Sequence, residues 1–97
     1  MTPETIEKKI VKQYLDIKKY FHFHLLAGMG AYLGCPDMVA IKNGKVYLLE
    51  VKKYGGKQSP GQRLFQDLWE KSGGTYIIGT AEKIIDELNE TDTTKVA

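Results

Sequence analysis

The stretch GCPDMVAIKNGKVYLLEVK, residues 34–52, decides the fold. Two β-rich runs, 37–42 and 45–52, flank Asn43-Gly44. Both turn residues tolerate the positive φ of a two-residue type I′ turn, so the dipeptide predicts a β-hairpin. The register follows from the turn. Lys42 faces Lys45, Ile41 faces Val46, Val39 faces Leu48 and Asp37 faces Glu50. Facing residues hold their Cβ atoms about 4.5–5.5 Å apart, so two carboxylates are expected side by side. Lys52, two residues beyond Glu50, projects from the same face. Val39, Ile41, Val46 and Leu48 share that face and are apolar, which predicts a buried stripe ending at the acids.

Upstream of the hairpin, Ile6, Ile10, Tyr14 and Ile17 recur at helical spacing, joined by Val11 and Leu15, and predict a helix over 4–19. Thr2-Pro3 supplies its cap and first turn. Residues 20–26 alternate, with Phe21, Phe23 and Leu25 on one face and Tyr20, His22 and His24 on the other, as in a strand. A loop with three glycines follows, Gly28–Gly34, and carries Met29, Tyr32 and Leu33. Its apolar residues suit a wedge at a branch point, a subunit interface or a cover for the core.

Downstream, residues 54–58 read as a Gly/Lys loop. Ser59 with Gln62 forms a capping-box pattern around Pro60 and opens a second helix with Leu64, Phe65, Leu68 and Trp69 inward. Gly73-Gly74 stops it, residues 75–79 read as a short buried strand, and Thr80 caps a last helix carrying Ile84, Ile85 and Leu88. The order is α-β-β-β-α-β-α. A strand, helix and strand in succession imply a parallel crossover. The fold class is α/β, a mixed β-sheet flanked by helices, in one domain over 1–97 with residues 90–97 as a frayed tail.

The chain has 97 residues, enough for one compact domain, and 42% are hydrophobic. No apolar run approaches the roughly 20 residues of a membrane span. Glu4, Glu7, Lys8 and Lys9 fall where a signal segment would be apolar. One cysteine, Cys35, rules out an internal disulfide, and with only two histidines a closed zinc site is not expected. A cytoplasmic setting is expected. Net charge is +2, unevenly spread: residues 1–81 hold 12 Lys/Arg against 7 Asp/Glu, and residues 82–97 hold 2 against 5. A basic body suits a polyanionic partner.

Two facing acids repel, and burial worsens the repulsion, unless a cation lies between them. Oxygen ligands without histidine or thiolate favour a hard ion, Mg²⁺ or Mn²⁺. Lys52 is placed to orient a water and to stabilise charge on a phosphate. Together these features suit metal-assisted phosphodiester hydrolysis. A Glu-x-Lys strand by itself is more often an exposed ion pair; Asp37 in register changes that balance. His22 and His24 read as a packed or solvent-facing pair rather than a general base.

Gly34-Cys35-Pro36-Asp37, then Leu49-Glu50-Val51-Lys52, then Gln62 on the next helix, resembles the VRR-NUC branch of the PD-(D/E)xK nucleases, over about residues 4–85. The resemblance implies a restriction-endonuclease-like core. It implies Asp37, Glu50 and the Val51 backbone carbonyl as metal ligands, Lys52 as the catalytic lysine and a helical glutamate at the site. Glu7 matches that glutamate best, acting directly or through water, with Glu4 one turn away as the alternative. Gln62 is similar to a glutamine near the family's active site, in competition with its capping role.

Stand-alone members resemble small Holliday junction resolvases and occur in phages and bacteria, which implies a bacterial cytoplasm or that of a phage's host. A small domain gains grip on a nearly two-fold junction by forming a homodimer. Lys8, Lys9, Lys12, Lys53, Lys57 and Arg63, with Lys18 and Lys19, are candidates for contacts to DNA phosphates, though each also serves solubility. The expected function is a metal-dependent, structure-selective endonuclease for branched DNA. The alternatives are a flap or nicking nuclease with a partner, a non-catalytic DNA-binding module, and an ion-paired α/β domain unrelated to DNA.

Overall fold

The computed structural model describes residues 2–25 and 34–91. The expected order holds: α1 (Pro3–Ile17), β1 (Phe21–His24), β2 (Met38–Lys42), β3 (Lys45–Val51), α2 (Pro60–Lys71), β4 (Thr75–Gly79) and α3 (Ala81–Thr91). The strands form one sheet in the order β1-β2-β3-β4. The first three run antiparallel, and β4 lies parallel to β3 after the α2 crossover. Asn43 and Gly44 take φ of 53° and 78°, the left-handed pair that a type I′ turn needs. Lys42 pairs with Lys45, Ile41 with Val46 and Val39 with Leu48, as the turn predicts.

Local signals explain the helix ends. Thr2 accepts the Thr5 N–H at the start of α1. The capping box at Ser59 and Gln62 closes both ways. At the end of α2, Gly73 takes φ 93° while the Gly74 N–H returns to the Trp69 carbonyl. The last helix runs two residues past Asn89, so residues 90 and 91, expected in a frayed tail, are helical; the rest of that expectation, residues 92–97, lies outside the described residues, as does nearly all of the 28–34 loop.

The core lies on the sheet face opposite the one expected. Met38, Ala40, Tyr47, Leu49, Val51 and Ile77 pack against Val11 and Leu15 of α1 and Ala81, Ile84 and Leu88 of α3. Strand alternation sends Val39, Ile41, Val46, Leu48 and Glu50 the other way, toward the side where α2 packs on β4. There α2 covers only part of the sheet, so Leu48 is buried while Val46, Phe21 and Phe23 stay exposed. The inward faces also differ from the expected ones. In α1 the buried stripe is Val11 and Leu15, with Ile6, Ile10 and Ile17 outward; in α2, Phe65 and Trp69 turn in and Leu64 and Leu68 turn out. Among the described residues no helix is long and apolar enough to cross a membrane.

Candidate active site

β3 carries Glu50 to the centre of the molecule, 1% exposed. The parallel neighbour places Tyr76 opposite Leu48, so both Tyr76 and Glu50 project on the α2 side. The Tyr76 hydroxyl donates to Glu50 Oε1. Burial first, and then the Glu50 carboxylate, push the Tyr76 phenol far above its usual range, so it stays a donor at any working pH. Lys52 Nζ lies 3.2 Å from Glu50 Oε2. The charges pair at that distance but the contact is not aligned as a hydrogen bond, so the buried Oε2 has an ionic neighbour and no directed hydrogen bond among the described residues.

Lys52 is held from a second side. It donates to Gln62 Oε1 at 3.1 Å, and the same oxygen accepts the Ser59 N–H at 2.9 Å. The two roles that competed for Gln62 in the sequence are therefore met at once, because a carbonyl oxygen has two lone pairs. The helix cap fixes the side chain that fixes the lysine.

Asp37 departs from the expected register. The β2–β3 ladder ends at Met38 and Leu49, and Asp37 sits in a bend beyond it. Its N–H donates to the Leu49 carbonyl at 3.1 Å, and its carbonyl accepts the Leu25 N–H at 2.9 Å. Its Oδ2 accepts the Val51 N–H at 2.6 Å. Asp37 thus meets the residue after Glu50 instead of facing Glu50, because a side-chain oxygen has replaced a backbone acceptor where the ladder stops. Both carboxylates consequently flank the Glu50–Val51 peptide.

The residues before Asp37 explain their own identities. Gly34 has φ 79°, and a Cβ there would collide with the Gly61 backbone. The chain passes against the first turn of α2 through a gap that only glycine leaves. Pro36 is fully buried behind Asp37, and Cys35 is a free, half-buried thiol.

The helical acids divide. Glu7 Oε1 accepts the Ala81 N–H at 3.0 Å and so caps the start of α3. Glu4 lies 3.9 Å from Lys8, and Lys8 Nζ stands 3.3 Å from Asp37 Oδ1. Lys8 therefore neutralises Asp37 much as Lys52 neutralises Glu50. Lys9 is exposed and Lys12 half-buried, while Lys53, Lys57 and Arg63 line a cleft together with Lys52. His22 Nε2 contacts Asp16 Oδ1 at 2.6 Å, and burial with Lys12 and Lys8 lowers the His24 pKa.

Asp37, Glu50 and the Val51 carbonyl form an all-oxygen set with one buried carboxylate oxygen lacking a hydrogen bond. That chemistry fits a hard ion that keeps its own waters and takes one or two carboxylates, as Mg²⁺ does. It does not fit a closed protein cage, since no group of three His, Cys, Asp or Glu among the described residues is placed to hold a metal.

Sequence reading missed Tyr76 and the Lys8 contact. The alternation of β4 was visible, but nothing local fixes a parallel register; the Lys8 contact depends on how α1 is rotated about its axis.

A mixed four-stranded sheet with helices on both faces and two acids at the β2–β3 margin is the class the geometry defines. Within that class the chain has the fold of a VRR_NUC domain. It is similar to a solved structure described as a VRR_NUC domain, with TM-score 0.80 and 24% identity over 95% of this chain and 99% of that one. No family model and no curated protein matches the chain.

Proposed function

We propose that this protein is a metal-dependent endonuclease acting on branched DNA, a homodimeric Holliday junction resolvase in its most specific form. One observation carries the reading: a buried Glu50, short of one hydrogen bond, shares Lys52 with a helix cap while Asp37 holds the next backbone amide. The VRR_NUC fold supports it.

In this reading Asp37, Glu50 and the Val51 carbonyl hold Mg²⁺ or Mn²⁺. The ion, when bound, polarises a phosphoryl oxygen and lowers the pKa of water. Lys52, fixed by Gln62, orients the attacking water and faces the charge that develops on the phosphate. Tyr76 keeps Glu50 Oε1 engaged, which turns Oε2 toward its ligand role. Glu7 acts by fixing α1 to α3, and Glu4 is the helical acid with side-chain reach to the Lys8–Asp37 pair.

The test is cleavage of a labelled four-way junction beside flap, nicked and linear duplexes, with Mg²⁺, with Mn²⁺ and with EDTA. Paired symmetric cuts in the junction alone, lost in Glu50→Gln and in Lys52→Ala, are expected. Cutting of flaps or linear DNA would keep the nuclease and remove the resolvase. Equal cutting by Glu50→Gln would sink the assignment.

A further inference from the structure

Beside Lys52 the surface opens into a cleft of about 720 Å³. Its walls are the loop after β3, the first turn of α2, the end of β4 and the first turn of α3. Lys52, Lys53, Lys57, Arg63 and Lys83 line it, and no carboxylate does. Five cations around one concavity, in a chain of net charge +2, repel one another unless an anion is held there. Among the described residues the ion pairs in this lining are Lys52 with Glu50 and Arg63 with Asp67, the latter exposed at 3.7 Å. The positive end of α2, with no acid in its first turn, reaches the same rim and adds to the field, whereas the start of α3 is already met by the Glu7 carboxylate.

Two details tie the cleft to the candidate active site. The Gly79 carbonyl accepts the Lys52 N–H at 2.8 Å. Gly79 lacks a side chain where a Cβ would strike the Lys83 side chain, so Lys83 lies across the strand end that anchors Lys52. At the mouth stands Tyr54, 93% exposed, in the turn carried by Gly55 at φ 78°. A ring so displayed, between lysines, has the character of a stacking platform for a base, and such platforms favour unpaired nucleotides because bases inside a duplex offer no free face.

We propose that this cleft takes the unpaired nucleotide adjoining the phosphate at Lys52, with Lys57, Arg63 and Lys83 against its backbone and Tyr54 stacked on its base. The proposal rests on the nuclease reading, not on its resolvase form, for the identity of that adjoining phosphate, since a four-way junction keeps its bases paired unless one opens at the branch point. It deepens the nuclease reading by naming an unpaired nucleotide as what the site selects.

The experiment is equilibrium binding in EDTA of two fluorescent probes, a single-stranded oligodeoxynucleotide and a blunt duplex of equal length, followed by anisotropy across a salt series. Tyr54→Ala should bind the single strand about tenfold more weakly with duplex affinity unchanged, and Tyr54→Phe should restore it. Lys57→Ala and Lys83→Ala should each lower the salt slope for the single strand by about one. All three positions are on the surface, and unchanged melting temperatures confirm folding. Single-strand affinity unchanged in Tyr54→Ala overturns the stacking role, and unchanged salt slopes overturn the phosphate contacts. If these losses appear but no metal supports cleavage, the cleft stands and the nuclease reading falls; cleavage with no effect of the variants gives the reverse.

Discussion

Glu50 is a carboxylic side chain at 1% exposure, and its surroundings are arranged around the cost of burying it. Tyr76 satisfies Oε1, and Lys52 pairs with Oε2 without a directed hydrogen bond. Tyr76→Phe removes a donor and leaves a buried carboxylate oxygen unmatched, an effect of about 1–3 kcal/mol. Urea denaturation should report that loss in metal-free buffer; a loss below the error of the fit would mean the hydroxyl contact is unimportant. The second residue-scale expectation concerns the ion. A ligand that binds only the folded state stabilises it, by about 2.7 kcal/mol at a hundredfold excess over Kd. Mg²⁺ or Mn²⁺ should therefore raise the wild-type melting temperature, and Asp37→Asn or Glu50→Gln should abolish the rise. Lys52→Ala should keep it, since an ammonium group cannot ligate a cation. A rise that survives in both acid variants would place the ion elsewhere.

Elements differ in how much of them the sequence discloses. Asn43-Gly44 disclosed the hairpin and its pairing because a two-residue turn of positive φ leaves one register open. Ser59 and Gln62 disclosed the start of α2 because a capping box is a local contract among four residues. That Glu50 and Lys52 share a face was legible from strand alternation, and the structure brings their side chains to 3.2 Å. The exact placement of Asp37 was not, since where a ladder ends depends on the partners on both sides, here Leu25 and Leu49. Helix faces were misread where apolar residues surround the axis, as with Ile6 and Ile10 outside and Val11 and Leu15 inside. Gly34 joins two elements and yields the element-scale prediction. Its φ of 79° and its packing on Gly61 bar any Cβ. Gly34→Ala should destabilise the chain by about 1–3 kcal/mol from backbone strain, before any cost of the collision is added. It should also loosen Gln62 from Lys52, lowering turnover more than the stability loss alone accounts for. Thermal melting beside a cleavage assay at a temperature where both proteins are folded separates the two effects. Unchanged stability would mean the loop relaxes freely.

At the scale of the whole molecule, the two sides of the sheet are unequal. One face is sealed by Val11 and Leu15 from α1 and by Ala81, Ile84 and Leu88 from α3, all nearly inaccessible to solvent. The other carries α2, in which no residue is fully buried. What holds α2 is its capping box, the Phe65–Tyr76 ring contact, the Trp69 indole N–H on the Thr75 carbonyl and the Gln62–Lys52 bond. Local opening costs little where few apolar groups leave water, so α2 belongs at the low end of the molecule's stability range. Opening α2 also withdraws Gln62, and Lys52 then loses the contact that fixes it against Glu50. Lys52 and the Glu50 side chain beneath α2 are therefore coupled to the least stable helix, while Val51 stays anchored in the sealed layer. Hydrogen exchange read by mass spectrometry should show peptides within Pro60–Lys71 exchanging well before those within Lys45–Val51 and Ala81–Thr91. A nucleic-acid probe that engages Arg63 and Lys57 should slow the α2 peptides most. If α2 exchanges together with β3, the molecule opens as a single unit, and the position of Lys52 is then as stable as the core beneath it.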